Sequence, residues 1–274
     1  MSVLPEPSIR VRINPTNPGQ FFACCGLLEL AHRLWGGAEG WFKDGAFSIA
    51  TRGTLREVIR ALIKEPAEEI TQLDNGLSVK PLIAPLRLKL VGDSEFRIVL
   101  DAWMTIRRDK RGVVAAANPP WNFWSGQQTS LRIWTALRAA LLAQMQKSDG
   151  SDSQELFSER VPLSGRFGFD SGAAWNRLDV GFSPDTQGIR VASSPAAELL
   201  AAVGLQRFRP RLSDDRSFFD YATWGQPLAP SVASAASTGL VAVAPALRFR
   251  GRIISRSNYA ALGYSTLLDG AHNG

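Results

Sequence analysis

The chain of 274 residues is long enough for one large domain or two small ones, and its 45% hydrophobic content is ordinary for a globular protein. It carries 31 Lys and Arg against 25 Asp and Glu, a net charge of +6, so its surface favours polyanionic partners. The two adjacent cysteines and the two distant histidines lack the ligand spacing of a zinc site. Because the adjacent cysteines cannot join distant segments by a disulfide, we expect a reducing compartment. Without a secretory leader pattern or a long apolar run, we expect a cytoplasmic protein with no membrane segment and no cofactor.

An apolar segment near the start of the chain carries the strongest structural pattern. Asn17 and Pro18 are typical of a helix start, and Gln20 completes a capping-box spacing. A Gly pair at 36–37 predicts the end of the helix. Because residues 18–35 are apolar nearly all round, we expect this helix to be buried on most sides.

Further elements are predicted before the middle of the chain. Asp44-Gly45 favours a tight turn between two short strands. Thr54 begins an amphipathic helix with a capping-box pattern. Residues 82–91 and 96–103 alternate apolar and polar side chains and predict an antiparallel pair of strands, while residues 127–147 predict a third helix.

The polar segment at 148–154 is the best candidate for a linker. It divides the chain into two α+β lobes, 1–147 and 155–274, which we expect to pack as one compact unit. In the second lobe, Ser194-Pro195 opens a helix that Gly204 closes. The predicted class is α+β, with an antiparallel sheet packed on the buried N-terminal helix, further helices, and one basic sheet face exposed.

Three predicted strands alternate basic with apolar side chains. If two of them are neighbours in one sheet, one face packs on the helices and the other forms a basic surface that neutralises phosphates. Acidic residues are nearly absent from these strand faces, and this favours phosphate binding over the alternative that an exposed sheet face simply needs polar residues. The basic residues are Arg10 and Arg12, Arg87 and Lys89, and Arg248, Arg250 and Arg252.

A charged loop and an aromatic segment at 107–128, and the R-F-R-P-R run at 207–211, are further candidates. Arg and Lys can hold phosphates, Trp can stack on bases or wedge between them, and Asn or Gln can read base edges. The alternative for the segment at 107–128 is a surface turn whose tryptophans pack in the core. The alternative for the run at 207–211 is a basic strip at a solvent-exposed edge of the fold. The candidate residues are Arg107, Arg108, Lys110, Arg111, Asn118, Trp121, Asn122, Trp124, Gln127, Gln128, Arg207, Arg209 and Arg211.

Catalysis has weaker support in the sequence. Cys24 and Cys25 lie within the apolar helix, and neither histidine is placed to activate a nucleophile. Asp214, Asp215 and Asp220 could bind a divalent ion as nuclease carboxylates do, so a metal-dependent nuclease is one alternative and a protein-only scaffold is another. No phosphate-binding loop or dinucleotide fingerprint is present. We therefore expect a chain without enzyme activity.

Two segments, N-P-G-Q-F-F-A-C-C-G-L-L-E-L at 17–30 and W-N-R-L-D-V-G-F-S-P at 175–184, resemble the large subunit of the Cascade surveillance complex of type I-U, or I-G, CRISPR systems. The resemblance implies a non-catalytic subunit near the 5′ end of the crRNA that recognises the protospacer-adjacent motif and helps open the DNA. In such complexes guide pairing reads the target sequence. The implied partners are the crRNA, target double-stranded DNA, other Cascade backbone subunits and a separate helicase-nuclease.

Overall fold

The computed structural model describes residues 4–110, 112–124, 127–147, 154–163, 165–173, 191–241, 243–256 and 259–268. These residues form α-helices and antiparallel sheets, which confirms the predicted α+β class. None of the helices in these ranges is both long and apolar enough to cross a membrane. The helices are α1 (Pro18–Trp35), α2 (Leu55–Lys64), α3 (Ser130–Lys147), α4 (Pro195–Gly204) and α5 (Pro230–Ser237).

The strands are β1 Ile9–Arg12, β2 Glu39–Lys43, β3 Ala46–Ala50, β4 Glu68–Glu69, β5 Leu86–Val91, β6 Glu95–Leu100, β7 Met104–Asp109, β8 Gly112–Ala117, β9 Val161–Pro162, β10 Ala192–Ser193, β11 Phe218–Ala222, β12 Arg248–Arg256, β13 Tyr259–Leu262 and β14 Thr266–Leu268. They form three larger sheets and two two-stranded sheets. The larger sheets have the strand orders β1-β3-β2, β4-β5-β6 and β11-β12-β13, with β14 also paired to β12, and the two-stranded sheets are β7-β8 and β9-β10.

Helix α1 is buried along nearly its whole length. The side-chain Oδ1 of Asn17 accepts the N–H groups of Gly19 (3.0 Å) and Gln20 (3.3 Å) and so caps the helix. The predicted capping box is not formed, because the Gln20 Oε1 accepts the N–H of Asn14 (2.7 Å) instead of that of Asn17. Gly36 ends the helix with a φ of 66°, which glycine adopts without strain.

The main packing partner of α1 is a second helix, α4. A Cβ built on Gly26 would lie 2.0 Å from the carbonyl oxygen of Leu200, and one built on Gly204 would lie 2.0 Å from that of Phe22. The two helices therefore touch backbone to backbone, with no room for a methyl group between them. The sequence interpretation placed a sheet on α1 and did not anticipate this helix pair.

Two buried carboxyl groups hold the N-terminal ends of α1 and α4 together. Glu198 accepts the N–H groups of Gly168 and Asp170, both at 3.0 Å. Asp170 in turn accepts Asn17 Nδ2 (3.0 Å) and the N–H of Ser194 (3.1 Å). Burial raises the pKa of Glu198, and the hydrogen bond from the Asp170 N–H opposes that shift. Acceptors at these positions also offset the positive ends of two helix dipoles that meet here.

Residues of all three larger sheets join one hydrophobic core, which spans both predicted lobes. The N–H of Phe42 donates to the carbonyl of Trp224 (2.8 Å), and Trp224 Nε1 donates to the carbonyl of Gly40 (2.7 Å). The two halves of the chain are thus in direct buried contact. Residues 148–153 of the predicted linker and the segment 175–184 lie outside the described residues.

Candidate nucleic-acid interface

An exposed basic hairpin occupies the region predicted as a charged loop. β7 pairs antiparallel with β8, and the register ends with Asp109 opposite Gly112. Arg111 lies outside the described residues. The prediction of a loop at 107–109 was wrong, because the outer part of β7 is exposed on both faces and has no apolar alternation to mark it as a strand.

The base of this hairpin is fixed to the core through Asn118. Its Nδ2 donates to the carbonyl of Ala102 (2.9 Å), and its backbone N–H donates to that of Trp103 (2.8 Å). Trp103 is fully buried, so the hairpin begins at a rigid point. One donor of the Asn118 side-chain amide is used in these bonds, so we assign this residue the role of positioning the hairpin in place of the predicted role of reading base edges.

The hairpin carries more positive charge than its own residues neutralise. Between residues 104 and 117 the chain has four cations and one acid, Asp109, a balance of +3. Arg107, Arg108 and Lys110 are exposed. Among the described residues, none of these three has a carboxylate within 4.0 Å. A surface of this kind attracts phosphate groups.

The hairpin is only two strands wide and carries exposed apolar side chains on one face. The register places Ile106 opposite Ala115 and Arg108 opposite Val113, so these four side chains share one face. Ile106 and Val113 are 48% and 47% exposed. A two-stranded ribbon of this width fits the major groove of B-DNA. The sequence patterns did not identify either apolar residue as part of a strand, although the two β-branched valines at 113 and 114 favour one.

The tryptophans of the N-P-P-W-N-F-W segment lie in the core. Trp121 is 1% exposed and packs edge-on to Phe22, with 6.1 Å between ring centroids. Trp124 is 5% exposed, and its Nε1 donates to the carbonyl of Leu82 (3.0 Å). The predicted stacking of Trp121 and Trp124 on bases is therefore corrected in favour of core packing, because protein atoms already cover both rings.

The amide side chains of the same segment differ in their exposure. Asn122 is half-buried, and its Nδ2 has no hydrogen-bond acceptor among the described residues. Gln128 is half-buried beside Gly165. Gln127 is exposed and remains able to contact a ligand at the surface.

The three predicted basic strands do not form one surface. Arg10 and Arg12 lie on β1, Arg87 and Lys89 on β5, and the arginines of the third group on β12, which belong to three different sheets. The hypothesis of a shared basic sheet face is therefore wrong. Alternation along one strand shows which residues share its face, and strand order depends on tertiary contacts.

Four of these cations have carboxylate partners. The partners come from neighbouring strands or from distant segments, so counting acids along each strand missed them. Exposed pairs of this kind contribute little to stability, but they reduce the charge available to a phosphate. Arg10, Arg248 and Arg252 have no carboxylate within 4.0 Å in the described ranges. The pairs are Arg12–Glu155 (2.9 Å), Arg87–Glu68 (3.5 Å), Lys89–Glu95 (3.1 Å) and Arg250–Asp220 (2.8 Å).

Two of the three arginines in the R-F-R-P-R run form ion pairs within the protein. Arg207 bonds both carboxylate oxygens of Glu29, at 2.6 and 3.2 Å. Burial disfavours ionisation of Glu29, but hydrogen bonds from Arg207 and a second arginine hold its pKa below the ordinary value. Arg209 lies 3.5 Å from Asp101. Arg211 is exposed and is the candidate of this run with no ion pair to a described residue.

Two of the three aspartates proposed for metal binding, Asp215 and Asp220, accept hydrogen bonds from protein donors. The hydroxyls of Ser213 and Ser217 donate to Asp215 and lower its pKa to about 2. The hydrogen bond from Arg250 lowers the pKa of Asp220, although burial opposes the shift. No group of three or more acidic, His or Cys side chains with metal-binding geometry is found in the described part of the chain. The arrangement gives no support to a metal-dependent nuclease.

The cysteines also behave as packing residues. Cys24 and Cys25 are fully buried in α1, and burial raises the pKa of both thiols well above the ordinary value. A buried neutral thiol is a poor nucleophile. His32 Nδ1 accepts the N–H of Ala38 (3.2 Å), which ties it to the end of the helix.

Comparison of the chain with protein-family models, with curated proteins and with solved structures gives no match. The segment at 17–30, on which the expectation of a CRISPR subunit rests, lies in the cap and body of α1, and every residue in it is buried. That segment therefore builds the core and has no surface to offer a ligand. Of the cations predicted to bind nucleic acid, seven are exposed and have no carboxylate within 4.0 Å among the described residues: Arg10, Arg107, Arg108, Lys110, Arg211, Arg248 and Arg252.

Proposed function

We propose that this chain is a nucleic-acid-binding subunit whose β7-β8 hairpin contacts duplex DNA. The observation that carries the proposal is the exposed hairpin itself, where Arg107, Arg108 and Lys110 have no carboxylate within 4.0 Å among the described residues. Neutralising phosphates with such side chains releases counterions and supplies most of the affinity for DNA.

The shape of the hairpin supports an approach through a groove. Arg108 shares its face with Ile106 and Val113, which places a cation beside two exposed aliphatic side chains. Aliphatic side chains can contact thymine methyl groups or wedge between base steps, while arginines bond phosphates or guanine. The hydrogen bonds of Asn118 fix the hairpin base, so little order has to be gained on binding.

The resemblance at 17–30 supports placing this activity in a CRISPR interference complex. In that setting the chain is a non-catalytic cytoplasmic subunit that recognises the flanking motif and helps open the target DNA. Its partners are the crRNA, double-stranded DNA, other Cascade backbone subunits and a separate helicase-nuclease. Arg10, Arg211, Arg248 and Arg252 supply further phosphate contacts to RNA or DNA.

The salt dependence of binding tests the hairpin directly. We expect simultaneous replacement of Arg107, Arg108, Lys110 and Arg111 by Ala to weaken binding of the full chain to a labelled duplex. The slope of log K against log salt should fall by about 0.9 for each phosphate contact removed, or about 3 to 4 in all. Fluorescence anisotropy at several salt concentrations measures this slope.

A matched control removes four cations that already have carboxylate partners. Replacing Arg12, Arg87, Lys89 and Arg250 by Ala makes the same change in net charge but should leave the slope much closer to that of the parent. Equal slopes in the two variants would show that total charge, and not the hairpin, drives binding. An unchanged slope in the hairpin variant would remove it from the interface.

The alternative functions make different predictions in the same preparations. A nuclease would cleave labelled DNA with Mg²⁺ or Mn²⁺ and lose this cleavage in Asp215→Ala. A protein-only scaffold would give no crosslinks between the hairpin and nucleic acid. Either result would overturn the proposal.

A further inference from the structure

A groove between α2 and α3 is separate from the hairpin and has a different character. It encloses about 730 Å³. Its rim is basic, with Arg56, Arg60 and Lys64 contributed by α2, and its floor is aliphatic. None of these three cations was singled out by the sequence patterns, because each fits the polar face of an ordinary amphipathic helix.

The basic rim forms a row along one side of α2. Arg56, Arg60 and Lys64 follow at intervals of four residues, so their side chains are stacked on one helix face. In the described ranges none of them has a carboxylate within 4.0 Å. Glu57 is the one acid lining the groove, and its carboxylate is engaged in the capping box with Thr54. Like charges at this spacing repel each other, and an anionic partner relieves that repulsion.

The floor of the groove is aliphatic and partly exposed. Ile63, Val91, Leu142 and Met145 line it, together with Ala61. Val91 and Leu142 are 48% and 41% exposed. Methionine and leucine adapt to the side chains of a docked helix. No Phe, Tyr or Trp is among the residues lining the groove, so it lacks the stacking surface on which single-stranded nucleic acids depend.

Arg138 holds the two walls of the groove in place. Its Nε donates to the carbonyl of Ile63 (2.7 Å), and a terminal nitrogen donates to that of Lys64 (2.9 Å). These bonds join α3 to the last turn of α2 and satisfy two carbonyls that the helix end leaves free. The groove is therefore formed before any partner binds, which lowers the entropic cost of docking.

From this combination we infer that the groove docks an acidic amphipathic helix of a partner protein. Such a helix places apolar side chains at intervals of three and four residues on the aliphatic floor and carboxylates against Arg56, Arg60 and Lys64. Charge complementarity selects the acidic partner, and the aliphatic floor favours a protein over a phosphate backbone. This inference goes beyond the DNA-binding function and does not depend on the hairpin.

A synthetic peptide serves as the probe for this surface. The probe is a fluorescein-labelled amphipathic helix with Leu on one face and Glu on the other, titrated with the full chain. We expect saturable binding that weakens about tenfold or more in Arg60→Glu and in Leu142→Ser. The same peptide with Lys in place of Glu should not bind, and an oligothymidine should not displace the acidic peptide.

Arg132→Glu is the matched control. Arg132 is an exposed arginine of the same helix pair that does not line the groove, so its reversal should leave peptide affinity unchanged. Equal losses in Arg60→Glu and Arg132→Glu would overturn the inference, and so would equal affinity for the acidic and basic peptides. Displacement by oligothymidine would assign the groove to nucleic acid instead. The hairpin variant should keep full peptide affinity, so failure here is distinguishable from failure of the DNA-binding proposal.

Discussion

Replacing Gly26 by Ala tests the backbone contact between α1 and α4. In an exposed helix this substitution is stabilising by up to about 1 kcal/mol, because alanine has the higher helix propensity. At Gly26 the added Cβ would lie 2.0 Å from the carbonyl oxygen of Leu200 and within 3.0 Å of the backbone nitrogen of Gly204. Both neighbours are backbone atoms and cannot rotate away, so the helices must separate.

The expected loss in the free energy of unfolding follows from the distance by which the two helices must separate. Ordinary contact needs roughly 3.4 Å, so the separation is about 1.4 Å at this point. A gap of that size loses a large part of the dispersion energy along the interface, and overpacking in cores costs about 3 kcal/mol at the upper end of its usual range. After the propensity gain, we expect Gly26→Ala to lower the free energy of unfolding by about 2 kcal/mol.

Urea unfolding followed by circular dichroism measures this difference as a lowered midpoint. Gly37→Ala is the control, because a Cβ at Gly37 meets no atom within 4 Å, and its effect should stay within about 0.5 kcal/mol. An unchanged or raised midpoint for Gly26→Ala would refute the close helix contact. Equal destabilisation by both substitutions would attribute the effect to the loss of glycine alone.

Two further predictions concern residues first considered as ligand contacts. Arg207→Met should destabilise the protein by about 1 to 2 kcal/mol at neutral pH, a value discounted because Arg207 is partly exposed while Glu29 is buried. The folded-state pKa of Glu29 is lowered, so its ionised form stabilises the fold above its ordinary pKa, and this stabilisation is lost as pH falls through the folded value. The difference between Arg207→Met and the parent should therefore shrink in acid, and an equal difference in urea unfolding at neutral and acidic pH would contradict this account. Trp121→Ala should cost about 3 to 5 kcal/mol because the ring is buried, whereas Gln127→Ala should stay within about 0.5 kcal/mol. A thermal unfolding scan compares the two, and a stable Trp121→Ala protein with altered DNA binding would restore the original role of this tryptophan.

Local chemistry explains which predictions from the sequence were confirmed. Thr54 and Glu57 form the expected capping box, and Asp44-Gly45 forms the expected turn with φ values of 50° and 69°. These features depend on residues within a few positions of each other, so the sequence contains all their partners. The burial of α1 was also readable, because a helix without a polar face has no stable exposed orientation.

The charged surface could be predicted only in part. The sequence located the cations of the hairpin, but it did not show that they lie on a ribbon, because exposed strands lack an apolar period. It also could not show which arginines meet carboxylates. Arg207 pairs with Glu29, which is 178 residues away in the sequence, and Arg12 pairs with Glu155, which is 143 residues away.

The N-cap residues Asn17, Thr54 and Ser194, the tight turn, the apolar α1 and the overall excess of positive charge could be read from local sequence patterns. The pairing of α1 with α4, the burial of Trp121 and Trp124 in the core and the distribution of the basic strands over three sheets became visible only in the folded chain. The physical reason is that caps and turns are made by near neighbours along the chain. Packing partners, strand order and ion pairs depend on distant segments that meet only when the whole core forms.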